Sequence, residues 1–444
     1  MRDFIIVLIV FGSIPFTLLR PHIGILMWYW VSLMNPHRLT WGYAYQMHVA
    51  VIVGGATLVA WAVSRERKLP PMPAPNVWLL LFTFWVSLST YFALSSTATE
   101  YWDEVIKILG MTFVATCIVN SRPRIRQLVW VVALSIAFYG IKGGVWAIMT
   151  GGHYRVWGPP GSFIEDNNQL GVALIMVMPL LYYLSLEVTR KWLRLGLYSG
   201  MGFTLIATLC TYSRGALVGL SVTLLVFGIK AKRRLLTGLV AAAVFAAALA
   251  FLPTSWYQRM DTIDRYKQDA SAEQRLTVWQ FAIRLADDHP LVGGGFNVID
   301  NKDVYYHYVA ATETVHNFHS IYFQVLGENG YVGLGLFLGL ILTTLATAQG
   351  IIRKTRNRPA MAWAGQLASA IQVSIVGYCS AGSFVNLGFY DLFYVLVAIV
   401  TATKIVVERS LAAETARIGE ATQEAPALAP VAIFRPASAG PNFG

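Results

Sequence analysis

The sequence predicts an all-α polytopic membrane protein with about twelve transmembrane helices and a helical extracytoplasmic cap. Hydrophobic residues make up 56% of the 444-residue chain and charged residues 13%, whereas soluble domains carry about 25% charged residues. The apolar residues gather in segments of roughly 17–25 residues, the length that crosses a bilayer as a helix. These segments are continuous rather than alternating, which favours helices over barrel strands.

The predicted spans follow from these apolar segments in chain order. They are residues 4–34, 49–64, 77–93, 104–120, 127–148, 169–187, 195–212, 215–230, 235–252, 331–351, 361–380 and 386–405. Pro15, Arg20 and Pro21 interrupt the first segment, which we interpret as a broken or re-entrant pair that crosses once. A single crossing there places both termini in the cytoplasm.

Basic clusters between the spans support this orientation, because Lys and Arg concentrate in cytoplasmic loops. The clusters are "RERK" at 65–68, "SRPRIR" at 121–126, "RKWLR" at 190–194, "KAKRR" at 230–234 and "RKTRNR" at 353–358. They account for much of the net charge of +11, and no basic domain is left to bind nucleic acid. Cys117, Cys210 and Cys379 lie far apart in apolar segments without metal-ligand spacing, so we expect no metal site.

The connection between residues 253 and 318 is too long for a passive link. Within it, residues 272–290 place Leu276, Trp279, Ala282 and Ile283 on one helical face, as in an amphipathic helix. The expected organisation is an N-terminal bundle (1–252), a loop or cap with the signature residues (253–330), C-terminal spans (331–408) and a disordered tail (409–444).

Several cations occupy the outer ends of the predicted spans, where Lys and Arg should be rare. They are Lys107, Lys142, Arg155 and Arg214. Snorkelling towards lipid headgroups explains a long basic side chain at this depth, but Arg214 lies in "TYSRG", a very tight turn between two spans. A group of cations at one membrane face indicates an anionic ligand, either a lipid phosphate or a pyrophosphate, which arginine contacts with two parallel hydrogen bonds.

A histidine lies at the start of the predicted span that follows the long connection. His319 shares a helical face with Tyr322, Phe323 and Leu326 if residues 319–330 are helical. An imidazole at the outer interface is neutral near pH 7 and can accept a proton. His316 fits a structural role better. The glycine run "GGGF" at 293–296 is typical of a flexible turn, and no Walker-type glycine loop is present.

These stretches resemble the O-antigen ligase and polymerase superfamily. "HSIYFQVLGENGYVG" (319–333) is similar to its histidine signature and "SRGA" (213–216) to its arginine turn. "EQRLTVWQFAIRLADDHPLVGGGFN" (273–297) is similar to its loop signature, which maps Arg275 onto a second arginine. The family pattern reads His-Asn, which here occurs at 316–317, so His316 stays an alternative to His319. The N-terminal third resembles the branch of O-glycosylation ligases associated with exosortase gene clusters.

The resemblance implies a GT-C-like, metal-independent, inverting glycosyltransferase in the bacterial inner membrane, with its active site facing the periplasm and no cofactor. The donor is then an undecaprenyl-pyrophosphate-linked glycan. His319 is the expected general base, and Arg214 and Arg275 bind the pyrophosphate. Weaker candidates for binding the pyrophosphate or glycan are Lys107, Lys142, Arg155, Tyr212 and Tyr322.

The arginines and the histidine do not indicate which molecule accepts the glycan. A sugar hydroxyl of lipid A–core is favoured, which makes the chain an O-antigen ligase. A protein O-oligosaccharyltransferase and an O-antigen polymerase remain alternatives with the same donor. A transporter of lipid-linked sugars is a distant one, since it would show a charge pathway at the midplane or inverted repeats.

Overall fold

A computed structural model describes residues 1–64, 71–230, 270–311 and 314–424, with scattered residues between 238 and 257. Their regular structure is helical. The α-helices are α1 Arg2–Leu19, α2 Pro21–Met34, α3 Val49–Val63, α4 Ala74–Tyr91, α5 Ala98–Ile118, α6 Arg122–Met149, α7 Asn167–Glu187, α8 Lys191–Leu209, α9 Arg214–Lys230, α10 Ala270–Asp288, α11 Lys302–Tyr308, α12 Ile321–Thr355, α13 Ala362–Gly382 and α14 Asp391–Glu424. Short 3-10 turns cover Pro36–Leu39, Tyr43–Gln46, Val298–Asp300 and Pro359–Met361.

The chain is a multi-pass membrane protein. Within the described residues, 5 helical segments are long and apolar enough to cross a bilayer: α1, α6, α7, α12 and the segment Pro359–Gly382. The remaining long helices pack with them, for example α4 with α12 and α8 with α6. The predicted span 235–252 and the first part of the 253–318 connection lie largely outside the described residues.

The two ends of the bundle are identified by the contacts found at each of them. At one end, which we call the site end, the backbone N–H of Val156 donates to the carbonyl of Cys210 at 2.9 Å, and that of Leu94 donates to Gly294 at 2.9 Å. At the opposite end, which we call the basic end, Arg122 pairs with Glu187 at 3.2 Å and Lys354 with Glu408 at 2.8 Å. The clusters 121–126, 190–194 and 353–358 therefore all lie at the basic end.

Residues 4–34 form a helical hairpin rather than the single crossing predicted from the sequence. Arg20 is extended (φ −141°), and Pro21 begins α2. The backbone N–H of Ala44 donates to the Asp3 carboxylate at 3.1 Å. The start of α1 therefore lies beside the connection 35–48 at the site end. The reason is the break at Arg20–Pro21, since the residue before proline is driven out of the helical region and here the chain reverses.

Helices α10 and α11 with the residues up to 320, which we call the α10–α11 unit, have an apolar core of their own. Its centre includes Phe281, Leu285, Tyr305 and Phe318, all fully or almost fully buried. The rings of Phe281 and Tyr305 lie 5.1 Å apart between centroids, and those of Phe281 and Phe318 lie 6.1 Å apart. This core fixes the segment that carries the predicted signature residues.

The glycine run 293–295 docks this unit onto α12 and is not a loose turn. The N–H groups of Gly294 and Gly295 donate to the carbonyls of Gly327 and Glu328 at 2.8 and 2.9 Å. Gly330 breaks α12 with φ 68° and ψ −174°. The "GGGF" and "GENG" stretches are therefore two halves of one backbone interface, a role that needs residues without a β-carbon.

Helix α14 continues to Glu424, through the first part of the tail predicted to be disordered from residue 409. The stretch "LAAETARIGEATQE" is rich in Ala, Glu and Arg, which favour helix. Arg358 also holds this extension through Glu414 at 3.4 Å. The rest of the predicted tail, residues 425–444, lies outside the described residues.

Candidate functional site

Three helices begin close together at the site end: α7 after Asp166, α9 at Arg214 and α12 after Ser320. The Asn167 side-chain amide donates to the carbonyl of Thr211 at 2.6 Å, which ties the start of α7 to the turn before α9. The C-terminal end of α13 contacts the starts of both α9 and α12, because Phe384 lies against Gly215 and Gly382 lies against Ile321. Helix N-termini carry partial positive charge, so their convergence suits an anion.

Two residues at this site have left-handed backbones. The described residues other than glycine with positive φ are Asn35, Tyr212, Asn297 and His319. Asparagine and histidine occur there more often than other side chains and tyrosine rarely does, at a cost of about 1 kcal/mol or more for each such residue. Tyr212 (φ 57°) and His319 (φ 48°) occupy the turns immediately before α9 and α12. The strained turns thus belong to the two stretches singled out in the sequence.

His319 lies outside the helix, contrary to the helical face predicted for residues 319–326. Ser320 is the N-cap of α12, and its hydroxyl accepts from the N–H of Tyr322 at 3.3 Å. A capping serine takes an extended backbone, here with φ −163°, so the helix cannot include the residue before it. The imidazole of His319, which is partly buried, is therefore placed by a turn and a cap rather than by helical periodicity.

Arg275 is placed relative to His319 by Trp279, one helical turn further along α10. The Trp279 indole N–H donates to the carbonyl of Phe318 at 2.9 Å, and its ring stacks on Phe323 at 4.8 Å between centroids. Residues four apart share one face of a helix, so Arg275 projects from the face of α10 that contacts this turn. The positive charge of Arg275 lowers the pKa of the His319 imidazole.

Burial is the main cause that lowers the pKa of His319 below its usual value of 6.5, followed by the positive charge of Arg275 and the neighbouring His316. The carboxylate of Asp166 raises it. An imidazole with a lowered pKa is neutral near pH 7 and available to accept a proton. The site therefore couples one histidine to a cation on α10 and an anion at the start of α7.

Asp166 was not selected from the sequence as a site residue. Its carboxylate accepts from the backbone and side-chain N–H groups of Asn168, both at 2.8 Å, and caps α7. An aspartate before an apolar helix is an ordinary start signal. The only sequence hint was its place in "GPPGSFIEDNN", directly before a helix that begins at the same membrane face as His319.

Other predicted site residues have defined contacts. Lys107 forms an ion pair with Asp103 one turn earlier on α5. The Tyr212 hydroxyl donates to the carbonyl of Gly152 at 2.7 Å, and that of Tyr322 donates to the carbonyl of Cys379 at 3.0 Å. His316 shares a hydrogen bond with the Thr314 hydroxyl. These contacts favour structural roles for the tyrosine hydroxyls and for His316.

Lys142 and Arg155 come together in a separate groove of about 260 Å³. Helix α6 forms one wall, and residues 155–160 form the other. The backbone pair of Val156 with Cys210 joins this second wall to the end of α8. Across the described ranges, no cluster of three His, Cys, Asp or Glu side chains is arranged to hold a metal ion.

Two protein families match the chain. Residues 199–338 match the family described as O-Antigen ligase, and residues 1–189 match a family of unknown function (DUF5935). The first match covers Arg214, Arg275 and His319 and the sequence stretches around them, on which the resemblance to this family was based. No curated protein matches the chain.

Proposed function

We propose that this chain, a member of the O-antigen ligase superfamily, transfers a glycan from undecaprenyl pyrophosphate to a sugar hydroxyl of lipid A–core. The observation that supports this most is the convergence of three helix starts at one end of the bundle. A half-buried histidine, an arginine acting on its charge and two strained turns occupy that place. This combination suits a diphosphate leaving group and a hydroxyl nucleophile.

Arg214 and Arg275 bind the pyrophosphate in this proposal. Arg214 is the first residue of α9, so its guanidinium adds to the positive end of that helix. Arg275 belongs to α10, and its charge lowers the pKa of His319. As the glycosidic bond breaks, negative charge grows on the leaving pyrophosphate, and guanidinium groups stabilise it.

His319 acts as the general base. The acceptor hydroxyl attacks the anomeric carbon from the side opposite the pyrophosphate. A new C–O bond forms while the bond between the anomeric carbon and the pyrophosphate oxygen breaks. The proton of the attacking hydroxyl passes to the imidazole. Asp166 then stabilises the imidazolium, since its carboxylate favours the charged form. A single displacement inverts the anomeric centre and needs no covalent intermediate with the enzyme.

The site end faces the periplasm of the bacterial inner membrane in this proposal. The basic clusters at 121–126, 190–194 and 353–358 lie at the opposite end, and cytoplasmic loops carry an excess of Lys and Arg. The start of α1 lies at the site end with Asp3 bonded to Ala44. The N-terminal residues described here are then periplasmic, and the end of α14 is cytoplasmic.

A reconstituted transfer assay tests this function. The purified protein in liposomes receives an undecaprenyl-pyrophosphate-linked glycan and lipid A–core, without ATP, and the product is followed by gel shift and mass spectrometry. We expect glycosylated lipid A–core from the wild type and from His316→Gln, and at least about 10²-fold less from His319→Gln. Transfer only to a second glycan, or only to Ser or Thr of a protein, would replace the ligase with a polymerase or a protein O-oligosaccharyltransferase. Translocation without transfer would favour the transporter.

A further inference from the structure

The groove between α6 and residues 155–160 has a composition that the proposed transfer reaction does not account for. Lys142 and Arg155 line it together with Trp146 and Trp157. None of the described residues that line it is acidic. The two cations also have no carboxylate within ion-pair distance in the described part of the chain. The groove therefore presents two uncompensated positive charges beside aromatic rings.

One side of the groove is open to the lipid. Around Lys142, α6 exposes apolar side chains in the pattern of a bilayer-facing surface, with Ile141 38% exposed, Val145 39% and Met149 76%. Trp146 and Trp157 are half exposed. Tryptophan prefers the depth of the lipid headgroups, so the groove lies at the headgroup level of the leaflet at the site end.

The same segment forms a wall of both the groove and the candidate site. Val156 bonds to Cys210, and the Tyr212 hydroxyl bonds to Gly152, while Arg155 and Trp157 line the groove. Residues 152–156 therefore contact both the groove and the turn before Arg214. The residues that line the groove do not include Arg214, Arg275 or His319, so the groove is distinct from the pyrophosphate position proposed above.

We propose that this groove binds the phosphate-bearing headgroup of an anionic lipid in the leaflet at the site end. Lysine and arginine supply charge-assisted hydrogen bonds to phosphate oxygens. The exposed apolar face of α6 receives the acyl chains, which a free phosphate lacks. The inference goes beyond glycan transfer, because it depends on the groove and not on the identity of the donor or acceptor.

Native mass spectrometry of the purified protein in detergent tests this site. The protein is titrated with dioctanoyl-phosphatidylglycerol, dioctanoyl-phosphatidylcholine and inorganic phosphate in separate arms. We expect one saturable phosphatidylglycerol site, weaker binding of phosphatidylcholine because its choline cancels the phosphate charge, and no binding of inorganic phosphate. Phosphate binding as tight as phosphatidylglycerol binding would overturn the assignment to a lipid.

The double variant Lys142→Gln with Arg155→Gln should weaken phosphatidylglycerol binding about tenfold or more. The matched control is Arg190→Gln with Lys191→Gln, which removes two exposed cations beside the exposed Trp192 at the basic end. It should bind within about twofold of wild type. Unchanged binding in the groove variant, or equal losses in the two variants, would show that the groove is not a lipid site. Elution volume and circular dichroism confirm that both variants fold.

Discussion

At the scale of single residues, the imidazole of His319 is held by features on both sides of it along the chain. The carbonyl of Phe318 accepts from Trp279, and Ser320 caps α12. Between them His319 takes a positive φ. Strained backbone of this kind persists where surrounding contacts hold it, and it concentrates at functional sites. This is the physical basis for choosing His319 over His316 as the base.

His319→Gln should reduce transfer by about 10²–10⁴-fold, the range contributed by a general base. Glutamine keeps much of the side-chain volume but does not accept a proton near pH 7. His316→Gln should retain most activity, because the hydrogen bond of His316 is to Thr314. Transfer rates of the two purified variants make the comparison. If both His316→Gln and His319→Gln transferred glycan at the wild-type rate, His319 would not be the general base.

The pH dependence of transfer should reveal the two charges around His319. Activity falls as pH drops through the pKa of His319, which burial, Arg275 and His316 hold below 6.5. Asp166→Asn removes the group that raises this pKa. The fall in transfer rate on the acid side of the pH profile, the acid limb, should therefore move to lower pH. Arg275→Gln removes a group that lowers it, so the limb should move to higher pH, together with a loss of rate.

Asp166→Asn also keeps the cap of α7, since asparagine caps helices as well as aspartate. A loss of rate without any shift of the acid limb would assign Asp166 to structure alone. Limbs that move in the same direction in both variants would contradict the electrostatic arrangement.

At the scale of elements, the break in α12 helps to join the α10–α11 unit to the bundle, together with the bonds of the glycine run 293–295. Gly330 has a backbone conformation open essentially to glycine. A β-carbon there would lie 2.8 Å from the carbonyl oxygen of Pro290. Tyr331 donates its N–H to that same carbonyl at 2.9 Å. Any side chain at residue 330 therefore pushes α10 away from α12.

Gly330→Ala should lower stability by roughly 1–3 kcal/mol and abolish transfer, because Arg275 moves with α10. Gly335→Ala is the matched control on the same helix, where a β-carbon meets nothing within 4 Å. Thermal unfolding in detergent and the transfer assay measure both effects. Equal melting temperatures for the two variants would mean that the break does not hold the unit in place.

Sequence reasoning predicted elements well where one local pattern decides them. The amphipathic stretch 272–290 corresponds to α10, and the tight turn "TYSRG" joins α8 to α9. It was wrong where a distant partner decides. The glycines at 293–295 read as flexible because their partners at 327 and 328 are over thirty residues away. The relation of Asp166 to His319 is equally invisible, since it depends on how the bundle places the start of α7 relative to the turn before α12.

At the scale of the whole molecule, the orientation of the chain depends on the first two helices. Proline and arginine at 20–21 indicated a break in the sequence, but local pattern does not decide whether the chain continues or reverses. The contact of Asp3 with Ala44 shows that it reverses. In the orientation proposed above, this reversal adds a crossing before α3 and places the N-terminal residues in the periplasm.

Labelling with a membrane-impermeant maleimide on intact cells tests this orientation. Arg2→Cys and Lys302→Cys should both react from the periplasm, while Asn357→Cys should react only after the membrane is opened. All three positions are exposed. Cys117 and Cys210 are buried and Cys379 is partly buried, so background labelling should be low. Protection of Arg2→Cys with labelling of Lys302→Cys would restore the single crossing of residues 4–34.

A cryo-EM map of the protein with a bound undecaprenyl-pyrophosphate-linked glycan tests the central claim most directly. We predict diphosphate density among the starts of α7, α9 and α12, in hydrogen-bond contact with Arg214 and Arg275, with the His319 imidazole facing the anomeric carbon. Diphosphate density elsewhere, with these two arginines apart from it, would contradict the account.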